Sequence, residues 1–231
     1  MIETRKLLIA ISIGLMFTGC NTSGQKTEQS NCEPNKVPVD TVINKLIQAD
    51  LFNITDLKYL DSAKQDLIDS YVKYDYFGGY TYPDSLRYVD FRFYNIDSEE
   101  LFEIGGLTEY LDLVKPTFER LEIKFDYKNE RSIDNDNYWK HTIEINGKEY
   151  VAFEGIMESH DLWDKAYLNF IEMLNDQLRL QTSEEQFYPI RSANDGMMVM
   201  LTKKQFEIVK KYYPNDNDHP KSIDNWINQN K

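Results

Sequence analysis

DLWDKAYLNFIEMLNDQLRLQTSEEQFYPIRSANDGMMVML, residues 161–201, decides the fold class. Leu162, Ala166, Tyr167, Phe170, Ile171, Leu174 and Leu178 recur with the helical period and make one continuous apolar stripe. The spacing predicts a helix over 161–179 at the centre of the core. Phe187–Ile190 and Met197–Leu201 then read as strands around the turn residues Asn194-Asp195-Gly196. Connections this tight favour antiparallel pairing, and a helix followed by such a pair reads as α+β.

Toward the C-terminus, Thr202 and Gln205 have capping-box spacing for a helix through Tyr213, which Pro214 closes. Ser222 is placed to cap a last short helix in which Trp226 docks. Upstream, His141–Ile145 and Lys148–Phe153 flank Asn146-Gly147 as a hairpin. A two-residue loop sets Ile143 and Val151 on opposite faces. A three-residue loop with a bulge at Gly147 sets Ile143, Ile145, Val151 and Phe153 on one face, and burial favours the latter. Ile123, Phe125 and Tyr127 suggest another strand, followed by a low-complexity loop over 129–138. Val89, Phe91 and Phe93 alternate with Asp90, Arg92 and Tyr94, as in a strand with one wet face. Between these, Leu107, Leu111, Val114, Phe118 and Leu121 form a helix stripe capped by Thr108, with a kink or fresh start expected at Pro116. Asp97 and Glu100 form a capping pair for a short helix ended by Gly105-Gly106.

Two further helices come first: one capped by Asp40 with Val42, Ile43, Leu46, Ile47 and Leu51 inward, one from about 56 to 73. The expectation is a single compact α+β domain over 37–231, with 37–77 as its helical N-terminal part. Its core is an antiparallel sheet of about five strands packed with helices, preceded by two N-terminal helices.

The chain has 231 residues, 26 Lys and Arg against 39 Asp and Glu, and a net charge of −13. Arg5 and Lys6 precede an apolar run over 7–17, and Thr18-Gly19 leads into Cys20. A basic start, a short apolar run and small residues before a cut make a secretory signal. The run is too short for a bilayer of about 30 Å, which takes about 20 residues. With Phe17-Thr18-Gly19-Cys20 as its lipobox, the opening resembles the bacterial lipoprotein class. That resemblance covers residues 1–21 and implies a signal peptide over 1–19 and lipid on Cys20, hence a partner membrane and an envelope location facing periplasm or exterior. Residues 20–36 are polar with Gly and Pro and read as a flexible tether. Cys32 lies in it, so it staples nothing in the fold.

Losing 1–19 removes Arg5, Lys6 and Glu3, leaving 24 basic against 38 acidic residues, or −14. Such a chain repels nucleic acid and anionic membrane surfaces and attracts a basic protein. Neither G-x-S-x-G nor S-x-x-K is present, and His141, His160 and His219 are scattered, so no catalytic residue is assigned. The stretches 134–137 and 215–219 carry alternating oxygen ligands without the glycine and glutamate of a calcium loop, and read as turns. No cofactor and no metal is expected. The unusual local feature is YVKYDYFGGYTYPDSLRY, residues 71–88. Tyr74, Tyr76, Tyr80 and Tyr82 are its candidate binding surface, since tyrosine offers an apolar face and a wet hydroxyl. The leading reading is a lipid-anchored, non-catalytic domain for a protein or glycan partner, in one version an acidic inhibitor of a basic toxin. The alternatives are an envelope-polymer hydrolase using a carboxylate pair, and a structural envelope lipoprotein.

Overall fold

The computed structural model describes residues 37–102, 105–156 and 161–229. The lipobox, Cys20, the tether with Cys32, and His160 lie outside the described residues. In chain order come α1 (Val39–Ile47), a 3-10 turn (Leu57–Tyr59), α2 (Leu60–Tyr74), β1 (Phe93–Ile96), α3 (Ser98–Phe102) and α4 (Gly106–Arg120). There follow β2 (Tyr127–Asn135), β3 (Tyr138–Ile145), β4 (Lys148–Ile156), α5 (Leu162–Leu180), β5 (Glu185–Arg191), β6 (Gly196–Thr202), α6 (Lys203–Tyr212) and α7 (Ile223–Gln229).

The fold is α+β, but the strands form two antiparallel three-stranded sheets, β1-β6-β5 and β2-β3-β4, and not one sheet of five. Helix α5 explains the division. Its buried residues run from Leu162 to Leu178 and include Met173 and Gln177 beside the expected stripe, and it packs on both β4 and β5. A helix apolar over that much of its circumference holds one hairpin on each side.

Two cores result. Met198 and Met200 of β6 point into the larger one with α4, α5, β3 and β4, while Met197, Val199 and Leu201 point the other way, against α1, α2 and α6. This sheet is buried on both faces, which is why β6 reads as an unbroken apolar run. Residues 37–231 form a compact unit that holds the described residues of both cores.

Three local readings are corrected. The hairpin turns on two residues, with Ile145 opposite Lys148 and Asn146 and Gly147 both left-handed (φ 52° and 85°). Asn-Gly suits that turn because its twist matches the strands. A register shift at His141/Thr142 then leaves Val151 exposed and brings Ala152 and Phe153 inside, so a bulge in the strand does what the loop was expected to do. The stretch over 129–138 is mostly strand β2, paired along β3 up to Asn135↔Tyr138. Helix α4 runs through Pro116 in one piece, held by buried Leu111, Val114, Thr117 and Phe118. Caps also differ. Pro38 precedes α1, leaving Asp40 in its first turn, and Gly105 precedes α4. The Thr202–Gln205 capping box is present as read.

The strand expected from Tyr88 begins only at Phe93. Phe91 has φ 53°, a left-handed backbone that bulky residues avoid and that breaks any extended run. Asp90 and Arg92, expected on a wet face, are buried. Arg92 makes a bidentate pair with Glu185 (3.0 and 3.1 Å), and also donates to the carbonyls of Leu51 (2.6 Å) and Met200 (3.0 Å) and to Asn53 Oδ1 (2.6 Å). One side chain thereby fastens the turn after α1 to the middle of the sheet. A buried guanidinium is tolerable only with its donors this fully used.

Candidate functional site

The shortened strand and the left-handed Phe91 open a cleft of about 580 Å³ between the turn over 81–88, β1 and α4. That volume lies within the range of about 300–1,000 Å³ usual for ligand sites. The loop bearing its lip is braced. Tyr82 N–H donates to the Arg87 carbonyl and Val89 N–H to that of Tyr80, both at 2.9 Å, and Asn95 Nδ2 donates to the Leu86 carbonyl (3.2 Å). Leu86, at the lip, is 81 % exposed.

Phe91 is the keystone of the wall. Its carbonyl accepts from the Tyr94 hydroxyl (2.8 Å) and from Thr117 Oγ1 (2.8 Å), and those two hydroxyls also contact each other. Beneath its ring sits the Arg120 guanidinium, 3.9 Å from the centroid. Backbone strain of about 1–3 kcal/mol persists only where the surroundings over-determine it, and such residues gather at ligand sites.

The phenols show what the cleft presents. Tyr82 donates to Asp56 Oδ2 (3.1 Å), Tyr88 to Asn95 Oδ1 (3.3 Å) and Tyr110 to Glu100 Oε2 (2.8 Å), while Tyr94 is held as above. Each hydroxyl thus has a partner in the chain, and Asn95, the partner of Tyr88, itself lines the cleft. Burial pushes Tyr82 and Tyr88 up to about 12, Tyr82 also through the Asp56 carboxylate, and drives Tyr94 and Tyr110 higher. All four stay protonated at neutral pH. Ser85 accepts from the Arg87 amide (3.1 Å), and among the described residues no carboxylate, histidine or cysteine lines the cavity. The arrangement suits burial of an apolar group beside the Arg87 cation; it offers no acid–base pair.

The four tyrosines named from sequence do not gather. Tyr82 lines the cleft, edge-on to Tyr59 at 5.2 Å. Tyr74 projects into solvent at the end of α2, Tyr76 turns its hydroxyl toward Met197 Sδ (3.9 Å), and Tyr80 is half-buried at the start of the turn. The sequence reading missed Tyr88, Phe91, Tyr94, Tyr110, Leu113 and Pro116. Pro116 had a usable signal, because a proline inside a helix leaves a carbonyl and a face that packing must cover.

Other candidate chemistry is absorbed by structure. His141 is buried, stacked on Trp139, and hydrogen-bonded through Nε2 to Glu130 Oε1 at 2.8 Å. Asp216, in the stretch 215–219, accepts from the amides of Phe77 (3.0 Å) and Asp218 (2.9 Å). Among the described residues no three His, Cys, Asp or Glu side chains gather as a metal set, and no helix is long and apolar enough to cross a membrane. Comparison with family models, with curated proteins and with solved structures returned no match.

Proposed function

We propose that this protein is a lipid-anchored, extracytoplasmic binding module that captures an apolar segment of a protein partner in the aromatic cleft. The anchor rests on the lipobox-type opening ending at Cys20. The ligand class rests on one observation: four tyrosines line the cleft and each of their hydroxyls is already taken by a partner in the chain. A glycan needs convergent free donors and acceptors around a stacking ring; an aliphatic or aromatic side chain needs only the rings. The net charge of −13 adds steering toward a basic partner, as the inhibitor version of the reading requires. The hydrolase alternative gains no support from the cleft, whose described lining residues include no carboxyl.

A photo-crosslinking residue placed at Leu86 in the full chain tests this in intact cells. The expected result is a discrete protein adduct that disappears when Leu113→Trp fills the cavity. Adducts that are equally abundant from exposed Ile133 on β2, or that survive Leu113→Trp, would count against the cleft. Loss of the adduct should leave thermal unfolding within about 1–3 kcal/mol of the parent, the usual range for overpacking.

A further inference from the structure

The acidic balance of the chain hides a local reversal. Helix α6 buries Gln205, Phe206 and Val209 and turns Lys203, Lys204, Lys210 and Lys211 to solvent, with Glu207 as its only carboxylate. Helix α1 packs against it and adds exposed Lys45, with Asp40 its only carboxylate. Lys45, Lys204 and Lys211 converge on a groove of about 400 Å³ together with Gln48, Ile208, Tyr212 and the single carboxylate Glu207, which leaves the groove a net charge of +2.

These lysines are also unlike most others on the molecule. Lys73, Lys124, Lys128, Lys140, Lys148 and Lys165 each pair with a carboxylate. Among the described residues none of the five on α1 and α6 forms an ion pair; Lys204 Nζ donates to the Gln48 carbonyl (3.2 Å) and Lys211 lies 5.2 Å from the Tyr212 ring centroid. Their charge is left for something outside the chain. A cluster of four to eight cations on an amphipathic helix is the pattern that recognises anionic headgroups, worth about 1 kcal/mol per lysine.

Position in the chain selects the occupant. The tether read over 20–36 leads straight into α1, and Lys45 stands six residues beyond Val39, about 9 Å along the helix. We infer that the α1–α6 lysine face is a membrane-docking surface that seats the domain on the phosphate headgroups of anionic lipids. This rests on the proposed anchor at Cys20, which brings the face to a bilayer. Overall charge predicts repulsion from such a bilayer, but charges more than about 8 Å from it are screened at physiological salt. An orientation with α1 and α6 against the lipid is therefore attractive. It also gives the anchor the second, polybasic signal that stabilises acyl attachment.

Residues 37–231 without any acyl group test the face apart from the anchor. At about 50 mM salt this unit should float with vesicles of equal parts phosphatidylglycerol and phosphatidylcholine, and stay behind with pure phosphatidylcholine. Lys45→Glu/Lys204→Glu/Lys211→Glu should weaken flotation on the order of a hundredfold, as should raising the salt to about 0.5 M. Lys73→Glu/Lys128→Glu/Lys165→Glu, elsewhere on the surface, serves as the control for charge alone. Failure of the parent unit to float with the anionic vesicles, or equal losses in both triple variants, would overturn the inference. So would equally tight, salt-sensitive binding of a duplex oligonucleotide. Mass spectrometry of Cys20 in native material decides the anchor separately.

Discussion

The two sheets are built from opposite materials. In β1-β6-β5 the central strand GMMVMLT is buried along nearly its whole length, with a core on each face and a bidentate ion pair between Arg92 and Glu185 at one side. In β2-β3-β4 the outer strand YKNERSIDN is almost wholly exposed and holds its place by pairing with β3. The first sheet is specified by burial and by one desolvated charge pair that admits few alternatives. The second is specified by its partner strand and by the two-residue turn at Asn146-Gly147. The cleft and the lysine face both lie around the first sheet, where side chains are most constrained.

The sharpest way to break this contrast is Arg92→Met. Glu185 would be left buried without its cation, and unfolding by urea should show a loss of about 3–5 kcal/mol. Adding Glu185→Met should return part of that, which a double-mutant cycle measures. Asp90 sharpens it in the other direction. Burial pushes its carboxyl up to about 6 from 3.8, so the folded state holds the proton more tightly than the unfolded chain. Its contribution is fully present below the unfolded value and is lost as pH rises through about 6. Asp90→Asn can still accept from the Arg92 and Phe93 amides, so it should be more stable than the parent by about 2–3 kcal/mol at pH 7. That difference should vanish below about pH 4 in denaturation curves taken across the range. The smallest effect belongs to β2: Ile133→Asp, at a site 53 % exposed, should stay within about 0.5 kcal/mol by the same measurement.

What could be read from sequence follows the same division. Helix α5, strands β5 and β6 and the capping box on α6 declare themselves because periodicity and burial agree there. Strand β2 does not, since a strand wet on both faces carries no alternation and looks like a turn-rich loop. The cleft was hidden for another reason. Alternation over 88–94 is real, yet the polar half of it is inside, satisfied by partners as far away as Glu185 and Leu51. A buried arginine cannot be told from an exposed one without knowing who meets it. Tyr110, Leu113 and Pro116 reach the site from a helix whose apolar stripe accounts for other residues. Hence a count of nearby tyrosines found only one member of the wall. The number of sheets was illegible too, because a helix with apolar residues on two sides gives no hint that it separates two hairpins.

Tyr71 donates its hydroxyl to the Val37 carbonyl at 3.0 Å, and Gln205 Nε2 donates to the Ala49 carbonyl at 2.7 Å. The first helix is thus pinned at its entry by α2 and just past its exit by α6. A pull applied at position 36 meets the Tyr71 pin before it can peel the helix, and the residual load passes through Gln205 toward the neighbouring strand. A load entering the domain at Val37 is shared between these two clasps.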